Sequence, residues 1–247
     1  MKAIRFKGSG GLERLTAVEI DEPGEPQKGE ILVRLRASSL NYHDYLVALG
    51  KIPTADGLIP LADGAGIVEK IGEGVSEFTV GDHVVSCFFP DWQNGEAISS
   101  GFAKTPGDGL DGYARERVVR PANWFTRAPK NYSYTEAATL TTAGLTAWRA
   151  LVNDGPLKAG ETVLILGTGG VSVFALQFAK MMGALTIVTS SSDEKLTRAR
   201  ALGADYTINY KQYPNWADQV LNRTEGRGVD HVVEVGGPET LPQSISA

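Results

Sequence analysis

The rhythm of apolar and polar positions changes once along this chain. From residue 1 to about residue 119 the pattern is of short β-rich runs separated by glycine turns. Residues 1–6 read as a strand, and residues 31–36 alternate apolar and polar side chains. Residues 64–71 and 82–88 are further β-rich runs bounded by glycines, and residues 70–75 read as strand, turn and new strand. Such a half predicts a compact barrel-like β domain. Residues 90–112, rich in Gly, Ser and Pro, read as a long surface loop, a type that often carries function.

From about Tyr134 the period lengthens. Residues 136–151 have helical spacing, with Pro156 and Gly160 just beyond. An apolar run at 162–166 leads through a glycine turn into a helical stretch at 171–182. A second strand is expected at 185–189, a helix at 193–202 ended by Gly203, and further strands at 206–209 and 231–235. Alternating strand and helix implies a parallel sheet with right-handed crossovers. The expected fold class is α/β, a β-barrel domain (1–125) followed by a doubly wound parallel sheet (126–247). About four strands are legible where a complete doubly wound dinucleotide fold usually has about six. The sheet therefore reads as unfinished, and the chain as part of a longer protein.

Composition narrows the classes. The chain has 247 residues, a net charge of -5 and no basic run, which argues against a nucleic-acid surface. No apolar run approaches a bilayer span, and the start lacks the apolar core of a leader, so a cytoplasmic protein is expected. The single cysteine, Cys87, excludes an internal disulfide and a four-thiolate zinc site. It reads as a small buried apolar residue.

Gly167-Thr168-Gly169-Gly170-Val171-Ser172 joins the run at 162–166 to the following helix, the context a dinucleotide fingerprint requires. Gly167 permits the sharp turn, Gly169 admits the pyrophosphate, and the helix start offers free N–H groups. A plain tight turn is the competing explanation. The second strand ends in Thr189-Ser190-Ser191-Ser192, with no carboxylate to accept the ribose hydroxyls as NAD sites usually have. Asp193 and Glu194 fall at a helix start, where they suit the macrodipole. Lys195 and Arg198 lie near the same edge and suit a 2′-phosphate, hence NADP(H), unless they are merely solvated helix charges.

Several segments together carry a family resemblance: Leu61-Ala62-Asp63-Gly64-Ala65-Gly66-Ile67-Val68, Val80-Gly81-Asp82-His83-Val84, Ala143-Gly144-Leu145-Thr146-Ala147-Trp148 and Leu202-Gly203-Ala204-Asp205. The chain resembles the medium-chain dehydrogenase/reductase superfamily, with a GroES-like domain before a Rossmann domain, and within it the zinc-free quinone oxidoreductases. The resemblance places the catalytic-zinc ligands of zinc-dependent relatives at Asn41, Ala62 and about Thr142. None of these ligates zinc well. It also places the structural-zinc lobe between residues 88 and 112, which hold no cysteine. No metal is expected.

The resemblance further implies that Asn41 and Thr146 approach the nicotinamide. It implies that Lys195 and Tyr210 hold the 2′-phosphate, beside Ser190 and Ser191, with Gly167, Thr168, Gly169, Gly170 and Val171 around the pyrophosphate. Tyr45 is a candidate hydrogen-bond donor. His43 reads as a packed or solvated residue, with proton donation as the rival role; His83 and His231 read as structural. Phe88, Phe89 and Trp92 suit either a cleft wall or core. The expected activity is hydride transfer from NADPH to a quinone or α,β-unsaturated carbonyl in a homodimer. The alternatives are a zinc-free alcohol or carbonyl reductase and a non-catalytic dinucleotide-binding protein.

Overall fold

The computed structural model describes residues 1–8, 11–96 and 104–247. The chain divides into two compact units, Met1–Thr142 and Ala143–Ala247.

The first unit is built on antiparallel sheets. β1 (Lys2–Phe6) pairs with β2 (Leu15–Glu19). A five-stranded sheet has the order β6-β3-β4-β5-β7, from β3 (Glu30–Ala37), β4 (Ala65–Ile71), β5 (His83–Ser86), β6 (Arg117–Pro121) and β7 (Phe125–Arg127). Ile31, Val33, Val68, Val84 and Val118 point to one core with Phe78, Tyr113 and Phe125. A boundary after residue 125 would cut β7 away from β5, its partner. The unit continues through α2 (Tyr134–Ala138), whose Ala137 and Ala138 pack on Ala65 and Val85. The new strand expected after Gly74 does not form; residues 74–82 are turns and irregular chain that bring Phe78 into the core. Part of the loop expected at 90–112 lies outside the described residues. Of the rest, residue 91 and residues 93–96 are exposed, as a surface loop requires, whereas Thr105, Pro106 and Gly107 are buried. The sequence reading also missed α1 (Tyr42–Ala48), a helix too short to show a repeat.

The second unit is a parallel sheet of order β10-β9-β8-β11, from β8 (Thr162–Ile165), β9 (Leu185–Ser190), β10 (Tyr206–Asn209) and β11 (His231–Val233). Successive residues of β8 point to opposite faces, and both faces are covered. Val163 and Ile165 meet α4 (Gly170–Met181) and α5 (Asp193–Ala201) through Ala175, Leu176, Ala179 and Leu196. Leu164 meets α6 (Trp216–Arg223) through Trp216 and Val220. This is why β8 reads as a continuous apolar run and not an alternation. α7 (Leu241–Ser246) closes the described chain.

The helix expected at 136–151 is interrupted. After α2 the chain makes a wide π turn at residues 140–144, continues as α3 (Leu145–Trp148), and widens again at 149–153. A π turn inserts an extra residue and re-aims the side chains that follow. Here it lets Thr141 donate to the carbonyl of Ser86 (2.9 Å) and Thr142 to Asp63 (2.6 Å), both inside the first unit.

Candidate functional sites in the two units

In the second unit, the turn from β8 to α4 has the geometry of an anion cradle. Gly167 takes a left-handed backbone, φ +72°, which a side chain disfavours. A Cβ built on Gly169 would meet nothing within 4 Å, so its backbone stands bare toward solvent. Gly169 also caps α4, whose first N–H groups have no intrahelical partner and whose first turn holds no acid to compete with an anion. Ser172, at the third small position, is buried and donates to the carbonyl of Leu166 at 2.7 Å. That bond ties the helix to its strand at the point of close packing.

Beside the cradle is a cavity of about 260 Å³ whose lining runs from Gly167 and Thr168 past Val188 to Lys195 and Arg198. Ser190, at the end of β9, is buried, and its hydroxyl accepts from the backbone N–H of Ser192 at 3.3 Å. Ser191 is half-buried. Tyr210 is partly exposed, and its backbone N–H donates to the carbonyl of Ser190 at 3.1 Å. The acids at the start of α5 are occupied. Asp193 accepts from Asn209 Nδ2 (2.8 Å) and Gln212 Nε2 (3.0 Å), while Glu194 pairs with Arg198 at 2.6 Å. The Lys195 ammonium has no ion pair among the described residues. The residues fit a dinucleotide: bare backbone at the pyrophosphate, a helix start behind it, and an uncommitted cation at the ribose edge. Thr146 is exposed on α3.

In the first unit, Asn41 caps α1 and Asp63 lies just before β4. Asp63 is fully buried and accepts hydrogen bonds from Ser39 Oγ, Asn41 Nδ2 (2.9 Å) and Thr142 Oγ1 (2.6 Å). Burial pushes its carboxyl above the usual carboxylate range, against the pull of those donors. Asp44, also buried, accepts from the backbone N–H of Asn41 (2.8 Å) and of Ala62 (3.1 Å). Two carboxylates thus lock the start of α1 to the Ala62–Asp63 step. Leu61, one residue earlier, is held at φ +76°, a left-handed backbone costing about 1–2 kcal/mol for a side-chain residue. Tyr113 N–H bonds the Leu61 carbonyl at 2.8 Å, and a Cβ on Gly112 would stand 2.2 Å from that oxygen. The strain is maintained by that close contact.

His43 Nε2 stands 3.1 Å from Asp108 Oδ2, with its ring edge-on to Phe88. Asp108 and, more weakly, Asp44 and Asp63 raise its pKa against the opposing effect of burial. Phe88 continues into Phe89 and Trp92 as a chain of ring contacts. Tyr45 is partly exposed and tilts against Tyr42. His83 bonds Tyr134 at 2.9 Å and His231 bonds Glu161 at 3.0 Å. Burial pushes the Cys87 thiol up.

Sequence reasoning picked Asn41 and Thr142 as positions of interest but missed that Asp63 joins them. It also missed Ser39, Asp44 and Asp108. The Asn41-x-x-Asp44 spacing of a helix cap was the one available signal. Among the described residues, no three His, Cys, Asp or Glu side chains group closely enough to hold a metal. Asn41, Ala62 and Thr142 offer an amide, a methyl and a hydroxyl, and the nearby carboxylate of Asp63 is already engaged by three donors. These residues do not fit a zinc site. No helix among the described residues is long and apolar enough to cross a membrane.

A glycine cradle at the first turn of a parallel sheet, following an antiparallel β unit, is the arrangement of a two-domain dinucleotide-binding protein. Residues 27–130 match the alcohol dehydrogenase GroES-like domain, and residues 170–247 match the zinc-binding dehydrogenase family. A zinc-type alcohol dehydrogenase-like protein of Schizosaccharomyces pombe is 47% identical over 240 residues, covering 96% of this chain and 69% of that protein. An NAD-dependent alcohol dehydrogenase structure superposes with a TM-score of 0.90 at 36% identity, covering 100% of this chain and 74% of the other. The Escherichia coli quinone oxidoreductase complexed with NADPH superposes with a TM-score of 0.82 at 28% identity, covering 100% and 69%. The chain belongs to the medium-chain dehydrogenase/reductase superfamily of oxidoreductases. Its two units are the GroES-like domain and the Rossmann-like parallel sheet of that fold.

Proposed function

We propose that this protein transfers hydride from NADPH to a quinone or an α,β-unsaturated carbonyl compound, without zinc. The observation that carries the cofactor reading is the ribose edge. β9 ends in serines, Asp193 is held by Asn209 and Gln212, and Lys195, beside the cavity, has no ion pair among the described residues. A charge-assisted hydrogen bond contributes roughly 1.5–3 kcal/mol, and each ~1.4 kcal/mol is a tenfold change in affinity. Lys195 is exposed, so the lower end applies. Similar structures include both an NAD-dependent and an NADPH-bound enzyme, so the preference rests on these residues.

The acceptor reading rests on the side chains at 41, 62 and 142. With amide, methyl and hydroxyl in place of ligands, there is no Lewis acid to polarise a saturated carbonyl or alcohol. Reduced nicotinamide supplies hydride, and a conjugated acceptor can delocalise the negative charge that follows. The chain's part is to bind, orient and offer hydrogen-bond donors. The alcohol dehydrogenase names of the relatives, taken with the side chains at 41, 62 and 142, keep a zinc-free alcohol or carbonyl reductase as the second reading. Turnover of saturated alcohols in place of enones would favour it.

Calorimetric titration of the full-length protein with NADPH and NADH tests the cofactor half. Lys195→Ala is expected to weaken NADPH about tenfold and leave NADH nearly unchanged. Equal weakening of both would overturn the assignment of Lys195 to the 2′-phosphate. An acceptor screen on the same protein tests the reaction.

A further inference from the structure

Asp63 is fully buried, yet its three partners are all neutral: the hydroxyls of Ser39 and Thr142 and the amide of Asn41. A buried charge with no counter-charge in contact is unfavourable unless hydrogen bonds satisfy it. The arrangement must therefore be judged by what it holds in place. A carboxylate accepts and does not donate, so Asn41 can only turn its NH₂ group toward Asp63. That fixes the amide's orientation, which is otherwise ambiguous for an Asn side chain. Asn41 is also one half of a capping box with Asp44, which places the other end of its amide at the start of α1. One Nδ2 hydrogen has no partner among the described residues, on a side chain that is only half-buried.

The surroundings leave this amide little freedom. Asp44 grips the backbone N–H of both Asn41 and Ala62, so the two segments cannot slide apart. Leu61 is held in a left-handed conformation immediately before the step that presents Asp63. Residues in strained backbone persist only where the fold over-determines them, and they cluster at functional sites. The π turn at 140–144 brings Thr142 onto the same carboxylate from a third segment.

We propose that Asp63 is a positioning residue: by accepting one Nδ2 hydrogen of Asn41 it turns the other outward, as a fixed donor for a ligand's carbonyl oxygen. This rests on the reading of the protein as a reductase of conjugated carbonyl compounds. That oxygen belongs to the acceptor, where negative charge gathers after hydride addition. A donor already aimed needs no reorganisation when the charge develops, which is the source of its effect.

The test uses the full-length protein and the variants Asp63→Asn, Asn41→Ala, their double, and Thr142→Val. In ¹H–¹⁵N spectra without ligand, the Asn41 side-chain amide of the wild type should show one strongly deshielded, slowly exchanging proton. Asp63→Asn should abolish that signature, and Thr142→Val should shift it. In activity, Asp63→Asn should lower kcat for enones or quinones by about tenfold or more, and the loss should vanish in the Asn41→Ala background. The loss should appear in kcat with the NADPH Kd unchanged; an equal loss in the Kd would overturn the assignment of this donor to the acceptor. If Asp63→Asn does not fold, Thr142→Val carries both measurements with a smaller expected loss. Should the wild type turn over no acceptor, the reductase reading fails, while the amide spectrum and the dinucleotide titration still decide the role of Asp63. Unchanged Asn41 amide signals in the variants, or losses from Asp63→Asn and Asn41→Ala that simply multiply, would overturn the proposal.

Discussion

His43 shows how an individual residue's chemistry depends on neighbours far away in sequence. Read along the chain, it is one of three histidines with no motif around it. In the fold it pairs with Asp108, lies against Phe88, and feels Asp44 on its own helix and Asp63 before β4. Its pKa is raised above the ordinary value of 6.5, chiefly by Asp108. A raised histidine pKa adds stability that is fully present below the unfolded-state value. That stability is lost as pH rises through the folded-state value. Asp108→Asn should therefore lower the His43 titration midpoint, measured by NMR. The stability gap between wild type and variant should be larger at about pH 5.5 than at about pH 8.5. A gap that does not change with pH would mean that Asp108 supports its loop by other contacts and not through the imidazolium.

The glycine turn between β8 and α4 separates two requirements that a single motif usually confounds. Gly167 is needed for backbone conformation, since φ is +72° and a Cβ there would meet nothing within 4 Å. Gly167→Ala should lower stability by about 1–2 kcal/mol. Gly169 has an ordinary φ of -78°, and its Cβ would also meet nothing. Gly169→Ala should lower stability by no more than about 1 kcal/mol, the effect of a weaker helix cap. Its dinucleotide affinity should nonetheless fall by about tenfold or more, because the added methyl stands where the pyrophosphate approaches. Thermal unfolding paired with calorimetry checks both; undiminished binding by Gly169→Ala would remove the pyrophosphate from this turn. The turn was legible because strand, glycines and helix are contiguous, and the parallel strands were legible because both of their faces are apolar. The helical spacing of 136–151 is matched by helical chain, but the π turns that re-aim Thr141 and Thr142 leave no mark in that pattern. The Asp63 hub was legible only in outline: the resemblance grouped positions 41, 62 and 142, but residues 39, 41, 63 and 142 share no sequence period that would single out Asp63 or Ser39.

At the scale of the whole chain, metal content depends on segments that only folding brings together. The family matched by residues 170–247 is described as zinc-binding, and a 47%-identical relative is described as zinc-type. The side chains here point the other way. Asn41 and Thr142 converge on Asp63, so the fold does assemble these distant positions at one place. What it assembles is a hydrogen-bond hub of neutral donors around a carboxylate. A zinc ion needs about four ligands drawn from thiolate, imidazole or carboxylate. Asp63 offers one, and binding would require it to give up Ser39, Asn41 and Thr142; Asp44 is committed to the N–H groups of Asn41 and Ala62. Ala62, packed beside it with no exposed surface, offers none. Cys87 is the chain's only cysteine, and burial keeps its thiol protonated, unlike a ligating thiolate. Elemental analysis of the dialysed full-length protein should therefore find well below one zinc per chain, and a chelator should leave both thermal stability and turnover unchanged. Adding zinc to the dialysed protein should not raise its melting temperature, whereas a ligand bound at 100 times its Kd would stabilise by about 2.7 kcal/mol. One tightly held zinc per chain, lost together with activity on chelation, would show that the hub rearranges around a metal and that the zinc-free reading is wrong.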